Sequence, residues 1–220
     1  MTDYTSPNWE SAALVVIDVQ RDFLDDGPWT IAGTSAVLPN LMSLIEAFRE
    51  AGRPIVHMVR FYEPGGTDVD LLRRDSIEGG TKMAAPGTDG AEIATGLLPG
   101  DTQIDAELLL SGNPQAVSDD EIILFKPRWS AFFRTNLESW LRERNVDTVV
   151  VAGCNLPNCP RATLFDASER DFRTVLVRDA VSQTTEARLA DVQRIGVELR
   201  TTAEAAESLP HGRRGRQSQS

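Results

Sequence analysis

Ala13-Leu14-Val15-Val16-Ile17-Asp18 is an unbroken apolar run that ends on a carboxylate. A run of this length without polar alternation suits a strand buried on both faces, as parallel sheets require. Five further stretches have the same character: residues 54–61 (PIVHMVRF), 121–125 (EIILF), 148–152 (TVVVA), 174–177 (TVLV) and, more weakly, 197–201 (VELRT). Between the first two, residues 38–50 place Leu41, Leu44, Ile45 and Phe48 at i, i+3, i+4 and i+7, with Pro39 near the start and Gly52 just past the end. That spacing predicts an amphipathic helix. Helices are predicted likewise over 132–144 (apolar side Phe133, Leu137, Trp140, Leu141), 160–170 and 185–195 (Leu189, Val192, Ile195, stopped by Gly196).

Strands alternating with helices imply a parallel sheet covered on both faces and joined by right-handed crossovers. The expected fold is α/β, a three-layer α/β/α sandwich with a mainly parallel sheet of about six strands. Residues 63–120 interrupt the rhythm with Gly65-Gly66, Gly79-Gly80, Pro86-Gly87 and Pro99-Gly100. They read as loops and short helices that cover a pocket.

No linker divides the 220 residues, so one domain over 1–210 is expected, with the Arg/Gly/Ser/Gln-rich residues 211–220 as a flexible tail. A hydrophobic content of 41% is enough for a core and far from the signature of disorder. The net charge of −11 would repel a phosphate backbone, which argues against nucleic acid as a partner. No apolar run approaches the roughly 20 residues of a membrane span, and Met1 to Glu10 has no leader pattern. A cytoplasmic protein without a membrane partner is expected, its two cysteines, Cys154 and Cys159, held as thiols.

Ligands of open α/β sheets bind beyond the carboxyl ends of the strands, where strand order reverses. Asp18, Lys126 and Cys159 all fall at or shortly after such ends. A cysteine attacks as its thiolate, which a nearby cation or a helix amino terminus favours. With Pro160 suited to a first helical position, Cys159 is expected at the N-cap of a helix, Lys126 as its cation and Asp18 as general acid–base. Cys154, in the apolar turn after its strand, reads as a small core residue. Phe23, Trp29, Arg60, Tyr62, Arg128, Trp129 and Asn158 lie near these segments as candidate substrate contacts. Arg60, Arg128 and Arg161 would suit a carboxylated or carbonyl-rich molecule.

Three segments together, residues 13–23 (ALVVIDVQRDF), 126–137 (KPRWSAFFRTNL) and 149–167 (VVVAGCNLPNCPRATLFDA), followed by Arg178-Asp179-Ala180-Val181, resemble the isochorismatase-like cysteine hydrolases. That superfamily holds N-carbamoylsarcosine amidohydrolases, nicotinamidases and ureidoacrylate and biuret hydrolases. The matches are Asp18, Gln20 and Phe23 in an I-D-x-Q-x-x-F setting, Lys126 before Ser130-Ala131-Phe132, and Cys159 six residues after the strand-ending Gly153. The resemblance runs from about residue 12 to 201.

The resemblance implies a Rossmann-like fold, a catalytic set of Asp18, Lys126 and Cys159, and an oxyanion hole from the backbone N–H groups of Asn155 and Cys159, with a cis peptide between Cys154 and Asn155. It implies hydrolysis of a small-molecule amide, ureido or carbamoyl bond through a thioester, and a homodimer or homotetramer. The family's usual small and β-branched residues between glycine and nucleophile are replaced by Cys154-Asn155-Leu156-Pro157-Asn158. The nicotinamidase branch carries a metal site of Asp and His, but only His57, inside a predicted strand, and His211, in the tail, exist here. No metal or cofactor is expected.

Three other readings compete. The vinyl ether hydrolases of the superfamily need no thiol, so retention of Cys159 argues against them. An aspartate-nucleophile phosphatase would want a second aspartate where Gln20 stands. A non-catalytic binding or assembly module would be expected to have lost one of the three reactive residues.

Overall fold

The computed structural model describes residues 3–66 and 68–210. The tail expectation for 211–220, with His211, lies outside them. The elements in chain order are β1 (Ala12–Ile17), α1 (Leu38–Glu50), β2 (Ile55–Val59), α2 (Leu71–Glu78), α3 (Ala106–Leu110), β3 (Gln115–Ser118), β4 (Glu121–Phe125), α4 (Leu137–Glu143), β5 (Thr148–Gly153), α5 (Cys159–Ser168), β6 (Arg173–Val181), α6 (Glu186–Gln193), β7 (Glu198–Arg200) and α7 (Thr202–Ser208).

One sheet runs in the order β3-β4-β2-β1-β5-β6-β7. Every pairing is parallel except β3 with β4. Alternate residues of the apolar strands feed two cores. Leu14, Val16, Ile55 and Val150 face Leu41, Leu44, Ile45 and Phe48 of α1. Val15, Ile17, Met58 and Val151 face Leu137, Trp140 and Leu141 of α4 and Leu164 of α5. These are the three expected layers.

The sheet has seven strands, one beyond the six apolar runs of the sequence. Gln115-Ala116-Val117-Ser118 forms an antiparallel edge strand whose residues alternate between exposed and half-buried. Too short and polar to show an apolar run, it was hidden in the long excursion. Nor is that excursion only a cover. Ala91, Ile93, Ala94, Leu97 and Leu109 belong to the first core, and Ile93 bridges to Gln20.

The helix predicted over 132–144 starts five residues later, at Leu137, behind Asn136. Arg134 takes a positive φ, which turns the chain and leaves Phe133 45% exposed instead of on the apolar side. Amphipathic spacing cannot report such a turn.

Glu121 begins β4 beneath this layer. Burial pushes its carboxyl up, but hydrogen bonds from Arg49 and His57 prevail and hold it down, to about 2 from 4.5. A depressed folded-state value stabilises the native state above about pH 4.5, and that stabilisation is lost as pH falls toward 2. Glu121→Gln should therefore flatten the acid limb of stability. Urea midpoints between pH 5 and 2.5 check this, and equal slopes for variant and wild type would refute it.

Candidate active site

Strand order reverses between β1 and β5, because β2 and β4 continue the sheet on one side and β6 and β7 on the other. The crevice beyond their carboxyl ends is where this fold class binds ligands. Two backbone features bring those ends together. Gly153 takes a φ of +114°, and a Cβ there would stand 2.3 Å from the carbonyl oxygen of Ile17. Cys154 then donates its N–H to that same oxygen at 2.8 Å. The residue that follows β1 is Asp18, itself at a φ of 53°.

Gly153→Ala combines that clash with a strained φ. A destabilisation of about 2–6 kcal/mol is expected. Gly80 also has positive φ (+94°) but open space around it, so Gly80→Ala should show the φ cost alone. Urea melts of the two variants separate the contributions. Equal losses would overturn the close-approach account.

Lys126 follows β4 and is 0% exposed. Its Nζ donates to Asp18 Oδ2 at 2.8 Å and to the Arg128 carbonyl at 3.2 Å. The other oxygen of Asp18, Oδ1, has no protein partner among the described residues. Cys159 lies within electrostatic reach of Asp18, Lys126 and Arg60. The three reactive side chains therefore meet.

Two expectations about Cys159 change. The N-cap is Asn158, and Cys159 is the first residue of α5. The thiol is not acidified. Desolvation of the sulfur and, after it, the Asp18 carboxylate push it up to about 12, against the opposing pull of Lys126 and Arg60. Parts of the residue remain open to solvent. The resting form is a thiol beside the Asp18 carboxylate.

The Cys154–Asn155 peptide is cis. As the first helical residue, Cys159 has an N–H without an intrahelical acceptor. The N–H of Asn155 has no protein acceptor among the described residues either. Asn155 is anchored through Nδ2 to Gln183 Oε1 at 3.0 Å and through its carbonyl, which accepts from the Asn158 N–H. Backbone N–H groups without a protein acceptor are able to hold an oxyanion.

Phe23, Trp29 and Tyr62 do come together. With Val69, Ile77, Met83, Ala84 and Cys154 they form a third apolar cluster. A surface depression of about 410 Å³, lined by Phe23, Trp29, Ile31, Arg73 and Met83 among others, opens beside it. Cys154 is 1% exposed there, its sulfur accepts from Thr34 Oγ1, and burial pushes its thiol up to about 12, in keeping with a core residue. Arg60 is 3% exposed at the end of β2. Burial opposes its charge, but Tyr62, Asp18, Cys159 and Asp70 more than offset that and raise its pKa.

Other candidates are occupied elsewhere. Arg128 donates to Asp68 and to the Pro127 carbonyl, which ties down the 68 loop because its planar fork matches those acceptors. Arg161 is exposed, its guanidinium over the Phe165 ring. Trp129 is largely exposed, and Asn158 shapes the backbone ahead of α5. His57 is buried in β2 and bonded to Glu121. Among the described residues, no group of three or more His, Cys, Asp or Glu is placed to hold a metal ion, and no helix is long and apolar enough to cross a membrane.

Gln20, Asp70 and Gln183 are supports that sequence reasoning did not single out for a role. Gln20 Nε2 donates to the carbonyls of Arg60 and Ala91, and its Oε1 accepts from the Arg60 N–H. It thus fixes the end of β2 against β1. Its place in the I-D-x-Q motif was the available signal.

The isochorismatase domain model matches residues 12–204. A protein of Arabidopsis thaliana described as a probable inactive nicotinamidase is 34% identical over 210 residues, covering 91% of this chain and 97% of its own. A maleamate amidohydrolase of Pseudomonas putida is 30% identical over 211 residues, 90% of this chain and 87% of that protein. The crystal structure of an isochorismatase family protein from Desulfovibrio vulgaris superposes with a TM-score of 0.76 at 32% identity, over 88% of this chain and 95% of that one.

Proposed function

Because the chain belongs to the isochorismatase family, we propose that it is a cysteine-dependent hydrolase of a small-molecule carbon–nitrogen bond. The observation that carries this reading is the buried Lys126–Asp18 pair beside Cys159, with the backbone N–H groups of Asn155 and Cys159 both without a protein acceptor among the described residues. A structural ion pair would not need a cysteine at the start of a helix beside it.

The steps balance as follows. Cys159 Sγ attacks the carbonyl carbon and its proton passes to Asp18, while the oxygen gathers negative charge against the N–H groups of Asn155 and Cys159. Lys126 keeps the adjoining negative charge tolerable in a dry site. The C–N bond then breaks, and the departing nitrogen takes the proton from Asp18. Water attacks the thioester, gives a proton back through Asp18 to the sulfur, and releases the acid. The sum is amide plus water to acid plus ammonia or amine.

Similarity to a maleamate amidohydrolase supports amide-type chemistry. Similarity to a probable inactive nicotinamidase favours a second reading, a non-catalytic binding module. The presence of Asp18, Lys126 and Cys159 together weighs against it. The purified protein, assayed for ammonia or amine release from primary amides, cyclic amides, ureido acids and biuret-like compounds, is expected to turn over at least one class. Absence of turnover across the panel would favour the binding module. A homodimer or homotetramer is proposed with this reading, and light scattering tests it.

A further inference from the structure

Arg60 is a guanidinium with most of its hydrogen-bonding capacity uncommitted. It is 3% exposed, yet its one side-chain hydrogen bond is from Nη2 to Asp70 Oδ2 at 2.8 Å. Its Nε and Nη1 have no protein acceptor among the described residues. Buried donors of a charged group are costly to leave unpaired, and a guanidinium is shaped to take a carboxylate through two parallel N–H bonds.

The backbone aims this residue at the reacting atoms. Val59 pairs with Phe125, and the Lys126 N–H donates to the Val59 carbonyl, so Arg60 and Lys126 are the next residues on neighbouring strands. Gln20 holds the Arg60 backbone from both sides. The guanidinium carbon stands 4.8 Å from the centre of the Tyr62 ring, which limits its swing, and Arg73 lies over the same ring at 6.0 Å. Arg60's charge reaches Asp18 and Cys159. Facing these cations are the carboxylates of Asp18, engaged by Lys126, and Asp70, at the cluster's more exposed edge.

We propose that Arg60 is the specificity residue of this site, and that the substrate is a short amide or ureido compound bearing a free carboxylate, which Nε and Nη1 of Arg60 hold. The inference rests on Cys159 as nucleophile. β2 and β5 flank β1, so their backbones lie about 10 Å apart at roughly 4.8 Å per strand. An arginine side chain spans much of that gap. Arg60 also acts electrostatically on Cys159 itself, so the carboxylate sits only a few bonds from the carbonyl under attack.

Iodoacetate and iodoacetamide differ by a carboxylate in place of a neutral amide and alkylate the same sulfur. Their rate ratio at Cys159, located by fragment mass spectrometry and divided by the ratio for glutathione, reads anion recognition free of the thiol's own reactivity. A normalised ratio of about ten or more is expected for the full-length protein. Arg60→Gln should return it to about one, Arg60→Lys should keep part of it, and Asp70→Asn, which frees Arg60 from its carboxylate, should raise it. A wild-type ratio near one, or a ratio unmoved by Arg60→Gln and Asp70→Asn, overturns the carboxylate clamp and leaves the nucleophile standing. Amide turnover that survives undiminished in Cys159→Ala overturns the nucleophile, and the clamp with it.

Discussion

Cys159→Ala is expected to lower kcat/KM for any carbon–nitrogen substrate by a factor on the order of 10⁴ or more. With no sulfur, no thioester can form. What remains, two backbone N–H groups and an acid–base residue, cannot supply a nucleophile. The fold should hardly notice. Cys159 packs at the margin of the second core, and alanine leaves the Lys126–Asp18 hydrogen bond in place.

Cys159→Ser should be nearly as inactive. A hydroxyl gives up its proton far less readily than a thiol, and this site already resists ionisation, holding the thiol at about 12. Steady-state assays paired with urea melts test both variants. Turnover within 100-fold of wild type in Cys159→Ala would rule out nucleophilic catalysis by this residue.

The second large effect falls on Lys126. Lys126→Met fills similar space but leaves the Asp18 carboxylate buried without its cation, and the Arg128 carbonyl without a donor. Breaking one side of a buried pair costs about 3–5 kcal/mol, because the surviving charge is uncompensated. Activity should fall by about 10²–10⁴ as well, since Asp18 can no longer be held as the base that accepts the thiol proton.

The double variant Asp18→Asn with Lys126→Met separates the two roles. It should recover most of the stability, since no net charge remains buried, and none of the activity. Urea midpoints for the wild type, both single variants and the double variant give the coupling directly. Wild-type stability in Lys126→Met would mean that the pair is reached by water, and the electrostatic account of the site would fail.

Much of the molecule could be read from the chain alone. Apolar runs mark the buried strands because a strand covered on both faces tolerates no polar alternation, and α1 has the predicted bounds because Leu41, Leu44, Ile45 and Phe48 repeat with the helical turn. The failures share a cause. β3 is half-exposed, the start of α4 is shifted by the backbone turn at Arg134, and the core contribution of Ala91 to Leu97 comes from irregular chain. None of these has a local period to detect.

The site divides in the same way. The sequence alone determined the chemical types and their positions at strand ends: a carboxylate after β1, an amine after β4, and a thiol six residues past a glycine that ends β5. Local pattern records which faces of an element are buried, and chemistry-bearing residues at its end stand out against that pattern. Only the tertiary structure decided that Lys126 bonds to Asp18 across 108 residues of chain, that Cys159 rests as a thiol, that Arg128 is spent on a loop, and that Arg60 is not. Those outcomes depend on which strands are neighbours and on how far each charge is removed from water. Both are properties of the packed sheet, where residues distant in the chain set one another's surroundings.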